Sequence, residues 1–373
     1  MGTSPGPEVL PWWMPRPATS TRRTPRVTGE PPPESRPVPR TVGRRVSPLR
    51  QRIASLYERF GVREAAGRSA LYGQLARAVA HDRRTLNLLA GLPELKQQPN
   101  LLFAAVRFLY GTANGPDAFL ALVHAQPEAI AAEMRARSTQ TNEPGRCATL
   151  LPALARLPQP LALLEVGAAA GLCLLPDHYA YDYGGRRVAP TAASSRTPLV
   201  LRCRVNADTP LPERNVEVAW RAGLDLDPVD LEDDADLRWL EALIWPGQEH
   251  RLPALHHAWA IARSVRPRVE AGDLRTELMH LAADAPPDAT LVVFHSAVLA
   301  YVLDAEERAA FARAVKATGA VWIANERPAY LPELPETLVG RPPDPQAFLL
   351  SIDSQPVAWA DPYGTALTWR HGR

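Results

Sequence analysis

Cysteine is scarce. Cys147, Cys173 and Cys203 are the only three, they are scattered, and none forms a C-x-x-C pair. That excludes a disulfide framework and a zinc knuckle, and it fits a reducing compartment. Lysine is scarcer still, at Lys96 and Lys316 alone, so nearly every basic residue is arginine. Together with abundant alanine and proline, this bias fits a GC-rich genome better than an arginine-specific task. Net charge is also small, because 42 basic and 40 acidic residues leave +2. A protein dominated by nucleic-acid electrostatics would carry more, so no nucleic-acid partner is expected for the folded part. No apolar run is long enough to span a bilayer. The chain opens Met-Gly-Thr-Ser-Pro-Gly-Pro, without the basic-then-apolar pattern of a leader, and Gly6 stands where a myristoylation signal wants Ser or Thr. A cytoplasmic protein with no membrane partner is the expectation.

Several catalytic signatures are missing as well. There is no G-x-G-x-x-G for a nicotinamide dehydrogenase, no Gly-Lys-Ser/Thr phosphate loop and no G-x-S-x-G nucleophile elbow around His295-Ser296. Glu249, His250, His256 and His257 match no standard metal-ligand spacing, so no metal is expected.

What is abundant divides the chain. The sequence holds 39 prolines, yet 46% of it is hydrophobic, which is enough for a globular core. Residues 1–48 are rich in Pro and Arg, without helical or strand period, and read as a disordered tail. From Arg52 apolar residues return at helical spacing (Ile53, Leu56, Tyr57, Phe60), and further helices are predicted over 69–80, 85–90, 101–110, 116–124 and 129–137. Residues 49–155 therefore read as an all-helical cap domain. The polar run Thr139-Gln-Thr-Asn-Glu-Pro-Gly-Arg146 breaks it. This run is either an ordinary interhelical loop or a rim over a ligand, in which case Asn142 and Arg146 are candidate substrate contacts.

The chain is organised around Leu161-Ala-Leu-Leu-Glu-Val-Gly-Ala-Ala-Ala-Gly-Leu172. An apolar run of this length without alternation marks a strand buried on both faces. It ends at Glu165 and opens into a turn bracketed by Gly167 and Gly171, and a helix-like segment is expected to follow. Strand, glycine turn and helix bring main-chain N–H groups against a nucleotide-like ligand. After an insertion near 173–215, which includes a tight turn at Tyr181-Asp-Tyr-Gly-Gly185, the pattern resumes. Strands are predicted at 216–225, ending in Asp225, at 268–273, ending in Asp273, at 291–296, with His295, and at 320–325, with Asn325. Further strands at 348–353, 357–359 and 365–369 suggest an antiparallel finish. The expected fold is α/β: a Rossmann-like, doubly wound, mostly parallel sheet over 156–373 with an antiparallel C-terminal hairpin. Its strand ends should converge on one crevice.

Glu165-Val-Gly167-Ala-Ala-Ala-Gly171 resembles the first motif of class I S-adenosylmethionine-dependent methyltransferases. Gly223-Leu-Asp225-Leu-Asp-Pro and Gly272-Asp273 resemble the second and third acidic motifs of that family. Ala169 departs from the pattern, since a glycine is usual there, and the 173–215 insertion is long. The resemblance implies S-adenosylmethionine as cofactor, held by Glu165, Gly167, Ala168, Gly171, Asp225 (ribose) and Asp273 (adenine), and transfer of its methyl group to a small molecule. His295 is then the candidate base, as imidazole titrates near neutrality. From another class, the same sheet suits a non-catalytic ligand-binding or interaction protein. The folded part as a whole also resembles a bacterial family, domain of unknown function 2332, through Thr-Gln-Thr-Asn-Glu, Glu-Val-Gly-Ala and Tyr-Asp-Tyr-Gly-Gly. That second resemblance implies no activity.

Overall fold

The computed structural model describes residues 47–140, 142–192, 197–332, 334 and 341–370. Most of the expected disordered tail, and part of the Pro-rich link at 328–346, lie outside the described residues. Helices come first: α1 (Pro48–Arg63), α2 (Ala70–His81), α3 (Arg83–Ala90), α4 (Pro99–Tyr110), α5 (Pro116–Ala125), α6 (Pro127–Ala136) and α7 (Arg146–Leu154). Their starts are written locally. Proline occupies the first turn of α1, α4, α5 and α6, where a missing N–H costs nothing. Ser69 caps α2 by accepting the Tyr72 N–H at 3.3 Å, and Asp82 caps α3 by accepting that of Thr85 at 2.7 Å. Tyr57, Phe60, Tyr72 and Phe119 all pack their rings against Phe103 of α4. Among the described residues no helix is long and apolar enough to cross a membrane.

The remaining elements are β1 (Leu161–Val166), β2 (Ala180–Asp182), β3 (Arg187–Val188), β4 (Val200–Arg202), β5 (Arg204–Val205), β6 (Val218–Asp225), α8 (Asp234–Leu243), α9 (Leu252–Val265), β7 (Arg268–Ala271), α10 (Leu278–Ala282), β8 (Thr290–Ser296), α11 (Ala305–Ala317), β9 (Val321–Glu326), β10 (Phe348–Ile352), β11 (Gln355–Ala360) and β12 (Ala366–Trp369). Among the described residues nine strands form one sheet in the order β5-β12-β11-β10-β9-β8-β1-β6-β7. The run β9-β8-β1-β6-β7 is parallel throughout. β10, β11 and β12 continue it as an antiparallel meander, and β5 joins β12 in parallel at the edge. The α/β class and the large, mostly parallel sheet are as the sequence reading expects, and the antiparallel finish extends over three strands.

β1 is the middle strand of the parallel run, with all six residues buried, which is why its sequence does not alternate. One face of the sheet (Leu164, Val166, Leu224, Val293, Trp322) packs on Leu278 and Leu281 of α10 and Phe311 of α11. The other face (Leu161, Leu163, Phe294, Ile323, Leu350) joins Phe103, Leu151 and Trp259 in a single apolar cluster. Helices on both sides of the chain midpoint thus share one core with the sheet.

Two features depart from the sequence reading. No α-helix follows the glycine turn; the chain makes two single 3-10 turns, Leu172–Leu174 and Pro176–His178. Pro176 has no N–H to continue a helix, and buried Tyr179 and Tyr181 draw this piece inward, donating their hydroxyls to the carbonyls of Leu172 (2.8 Å) and Pro176 (2.6 Å). Within the insertion, Pro198–Val205 alternates as a strand would, yet it is split at Cys203. Its first half pairs with β2 in a small sheet of order β3-β2-β4, and its second half reaches the edge of the large sheet. The turn at 183–186 joins β2 to β3 as an antiparallel hairpin, as expected.

Candidate functional site

Strand register sets the geometry. Glu165 lies opposite Gly223 on one side and Phe294 on the other, while Val166 neighbours Leu224 and His295. Asp225 ends β6 beside Ala271, and Ser296 pairs with Asn325. Glu165, Asp225, His295 and Asn325 therefore come to the carboxyl edge of one sheet, as the sequence reading expects of strand ends. Asp273 sits two residues past β7, held nearby by the Gly272 N–H, which donates to the Asp225 carbonyl at 2.8 Å.

They do not all share one face. Side chains alternate along a strand, and Glu165 falls on the side of Leu163 and Phe294. His295 falls on the other side, with Val293, where its ring packs against Phe311 and Trp322. It is fully buried. Its Nδ1 lies 2.8 Å from Glu326 Oε1, and its Nε2 accepts the indole N–H of Trp322 at 3.0 Å. In this arrangement both ring nitrogens are committed, and the ring faces away from a ligand at Glu165 or Asp225.

The turn after β1 is strained in a defined way. Gly167 and Gly171 have φ of 75° and 68°, and Ala169 takes the left-handed region at 49° despite its Cβ. Asp225 holds that residue in place. Its Oδ2 accepts the Ala169 N–H at 2.8 Å, and its Oδ1 accepts the Asp227 N–H at 2.9 Å. The glycines are not open to a ligand. A Cβ on Gly167 would lie 2.3 Å from Val298 Cγ2, and one on Gly171 would lie 3.0 Å from Pro267 Cγ. The space freed by the missing side chains is taken by this chain's own residues.

Residues 138–140 and 142–146 lie across the same turn as a strap. The Asn142 amide spans it, donating to the Ala168 carbonyl at 2.8 Å and accepting the Leu172 N–H at 3.2 Å. Gln140 reaches further, with Nε2 3.0 Å from Asp225 Oδ1 and in contact with the Asp227 carbonyl. Glu143 accepts Nε of Arg251 at 2.6 Å and pairs with its Nη2, while Arg251 lies over the Tyr363 ring at 4.0 Å. Arg146, nearly buried, donates to the carbonyls of Ser296 and Pro362, both at 3.0 Å. Arg146 thus serves carbonyl oxygens, and Asn142 serves the turn. A narrow crevice beside the strap is lined by Gln140, Asn142, Glu143, Leu240, Arg251 and Leu255.

The acids are shifted in different directions. Burial pushes the Glu165 carboxyl well above its ordinary range, with Cys173 and Asp225 adding to this and Arg146 opposing it. Its Oε2 is buried without a hydrogen-bond partner. Burial also raises Asp225, against the pull of the Asp227 and Ala169 N–H groups. Asp273 goes the other way. Burial would raise it, but the hydrogen bonds and charge of Arg275 prevail and hold it low. Both of its oxygens are engaged by Arg275, whose Nη1 also meets Glu307 at 3.0 Å.

The residues that sequence reasoning missed are Gln140, Glu143, Arg251 and Val298. The polar run at 139–146 was a sufficient signal for the first two. Nothing local marks Arg251 or Val298, because their partners are distant in the chain. The matching family, described as an uncharacterized protein conserved in bacteria (DUF2332), covers residues 54–373. The chain belongs to the DUF2332 family. No curated protein and no solved structure matches it. The span matched to DUF2332 takes in the helices and the sheet alike, and with them the three short runs noted in the sequence. Two of these runs meet in space, because Asn142 lies on the turn at 168–172, and the third reaches α7, where the Tyr183 hydroxyl donates to the Ala148 carbonyl at 2.8 Å.

Proposed function

We propose that this chain is a Rossmann-like, methyltransferase-type protein that binds S-adenosylmethionine at the carboxyl edge of β1 and β6 and passes its methyl group to a small molecule. One observation carries the reading: Asp225 ends the strand beside β1 and its carboxylate faces the Gly167–Gly171 turn, within 2.8 Å of the Ala169 N–H. A carboxylate there suits the two hydroxyls of a ribose. The parallel order β9-β8-β1-β6-β7 supports the same reading, as do the acids Glu165 and Asp273 at or just past the ends of β1 and β7.

The residues fit the cofactor in kind. Asp225 would hold the ribose, and Glu165 would add a buried acid behind the turn. Asp273 would meet the adenine only by sharing its oxygens with Arg275. Bound S-adenosylmethionine supplies an already activated methyl group, so the protein's own task is orientation and exclusion of water. Asn142 fixes the turn, and Arg146 ties the strap to the end of β8.

A second reading, a non-catalytic ligand-binding or interaction protein, is favoured by one specific observation. His295, the candidate base, is fully buried and bonded at both nitrogens. Titration calorimetry with S-adenosylmethionine tests the crevice first. Binding that Asp225→Ala weakens at least tenfold supports the crevice, and no heat at millimolar ligand removes it. Methyl transfer to any compound in a metabolite extract then decides for the enzyme, and binding without turnover decides for the second reading.

A further inference from the structure

We propose that Gln140 is a built-in occupant of the nucleoside crevice, with its carboxamide standing on Asp225 where a ligand hydroxyl would stand. This rests on the reading above, that the crevice takes a nucleoside. Asp225 has two oxygens with different duties. Oδ2 is committed to the Ala169 N–H and keeps the turn in shape. Oδ1 accepts the Asp227 N–H at 2.9 Å and, on its side toward the strap, also takes Nε2 of Gln140 at 3.0 Å, from a residue 85 positions earlier in the chain. The same nitrogen also contacts the Asp227 carbonyl. A primary amide offering two N–H groups to a carboxylate and a neighbouring carbonyl reproduces the donor pattern of a vicinal diol.

The arrangement allows exchange without unfolding. Gln140 is half-exposed, so its side chain can swing into water. The strap on either side is anchored separately, by Thr139 Oγ1 on the Tyr301 hydroxyl at 2.8 Å and by Glu143 on Arg251. Asn142 keeps its own bonds to the turn. Only the Oδ1 position changes hands. A ligand that displaces Gln140 must offset a charge-assisted hydrogen bond, so the wild-type protein binds more weakly than one without it.

The test is calorimetric titration of adenosine and of S-adenosylmethionine into the full chain, wild type beside Gln140→Ala. Gln140→Asn, one methylene too short to reach Asp225, gives a second variant if the first folds poorly. The expected result is affinity roughly tenfold higher in both variants, the size of a lost charge-assisted competitor. The melting temperature of the free variant should also be lower than that of wild type. Equal or weaker binding by the variants overturns the occupant role and leaves the nucleoside reading standing. Absence of binding by all three proteins removes the nucleoside reading, and the occupant falls with it.

Discussion

The indole N–H of Trp322 donates to Nε2 of His295 at 3.0 Å, and this one contact fixes the imidazole tautomer. An indole nitrogen can only donate. Nε2 must therefore be the acceptor, and the ring hydrogen sits on Nδ1, aimed at Glu326 Oε1 at 2.8 Å. Glu326 Oε1 in turn accepts the N–H groups of Val298 at 2.7 Å and Leu299 at 3.2 Å. The histidine is thus the middle of a buried chain running from β9 to the loop after β8.

His295→Ala should accordingly act on stability. It opens a cavity and strands both the Trp322 N–H and one side of Glu326, at a cost of about 3–5 kcal/mol. Chemical denaturation with matched slopes measures it. His295→Asn, which keeps one donor and one acceptor, should recover part of the loss. A variant as stable as wild type contradicts the network.

Glu165 gives a pH-dependent prediction. Its carboxyl is raised well above the ordinary 4.5 by burial, and Oε2 has no partner. A raised acid binds its proton more tightly in the folded state. The stability this provides is complete below the unfolded value and is lost as pH climbs through the folded one. Above about pH 5 the unfolded chain releases the proton first, so stability should fall by up to ~1.4 kcal/mol per pH unit from this group. Glu165→Gln removes the titration. Urea midpoints from pH 5 to 9 should show the wild type declining relative to the variant, with the two curves diverging toward high pH. Parallel curves would contradict a protonated Glu165.

Much of this architecture was legible in the sequence, for physical reasons. The apolar run at 161–166 could only be a strand covered on both sides, and proline or a capping Ser or Asp announced most helix starts. Strand ends predicted the meeting of Glu165 with Asp225. Two things were not legible. One is which face a strand-end side chain takes, because a single residue of register decides it; His295 fell opposite Glu165 for that reason. The other is what fills a glycine's space, since Val298 reaches Gly167 from 131 positions later in the chain. The expected helix after Gly171 was lost to Pro176 and to tyrosines whose partners are set by tertiary packing.

Gly167 tests that packing directly. At φ of 75° a Cβ is disfavoured, and here it would also lie 2.3 Å from Val298 Cγ2. Gly167→Ala should destabilise the fold by about 2–4 kcal/mol, the sum of a backbone and an overpacking cost. Val298→Ala alone costs about 1–2 kcal/mol as a cavity. If the clash is real, the double variant should be more stable than the sum of the two predicts, by about 1 kcal/mol or more in a double-mutant cycle. Additive losses would leave the strain to the backbone alone.

The strap has its own anchor in Glu143 and Arg251, a nearly buried pair joined at 2.6 Å and roofed by the Tyr363 ring. Glu143 also accepts the Gly145 N–H at 3.0 Å, which sets the start of α7. Breaking one side leaves a charge with little access to water, so Glu143→Gln should cost about 3–5 kcal/mol. Replacing both, Glu143→Leu with Arg251→Met, removes the stranded charge and should restore much of that loss. The strap itself should then loosen, because a leucine side chain cannot accept the Gly145 N–H. Hydrogen exchange of the amides at 142–146 reads this separately from global stability: the double variant should exchange faster there although its denaturation midpoint recovers most of the way to wild type. Unchanged exchange at those amides would mean that Asn142 and Arg146 hold the strap without the ion pair.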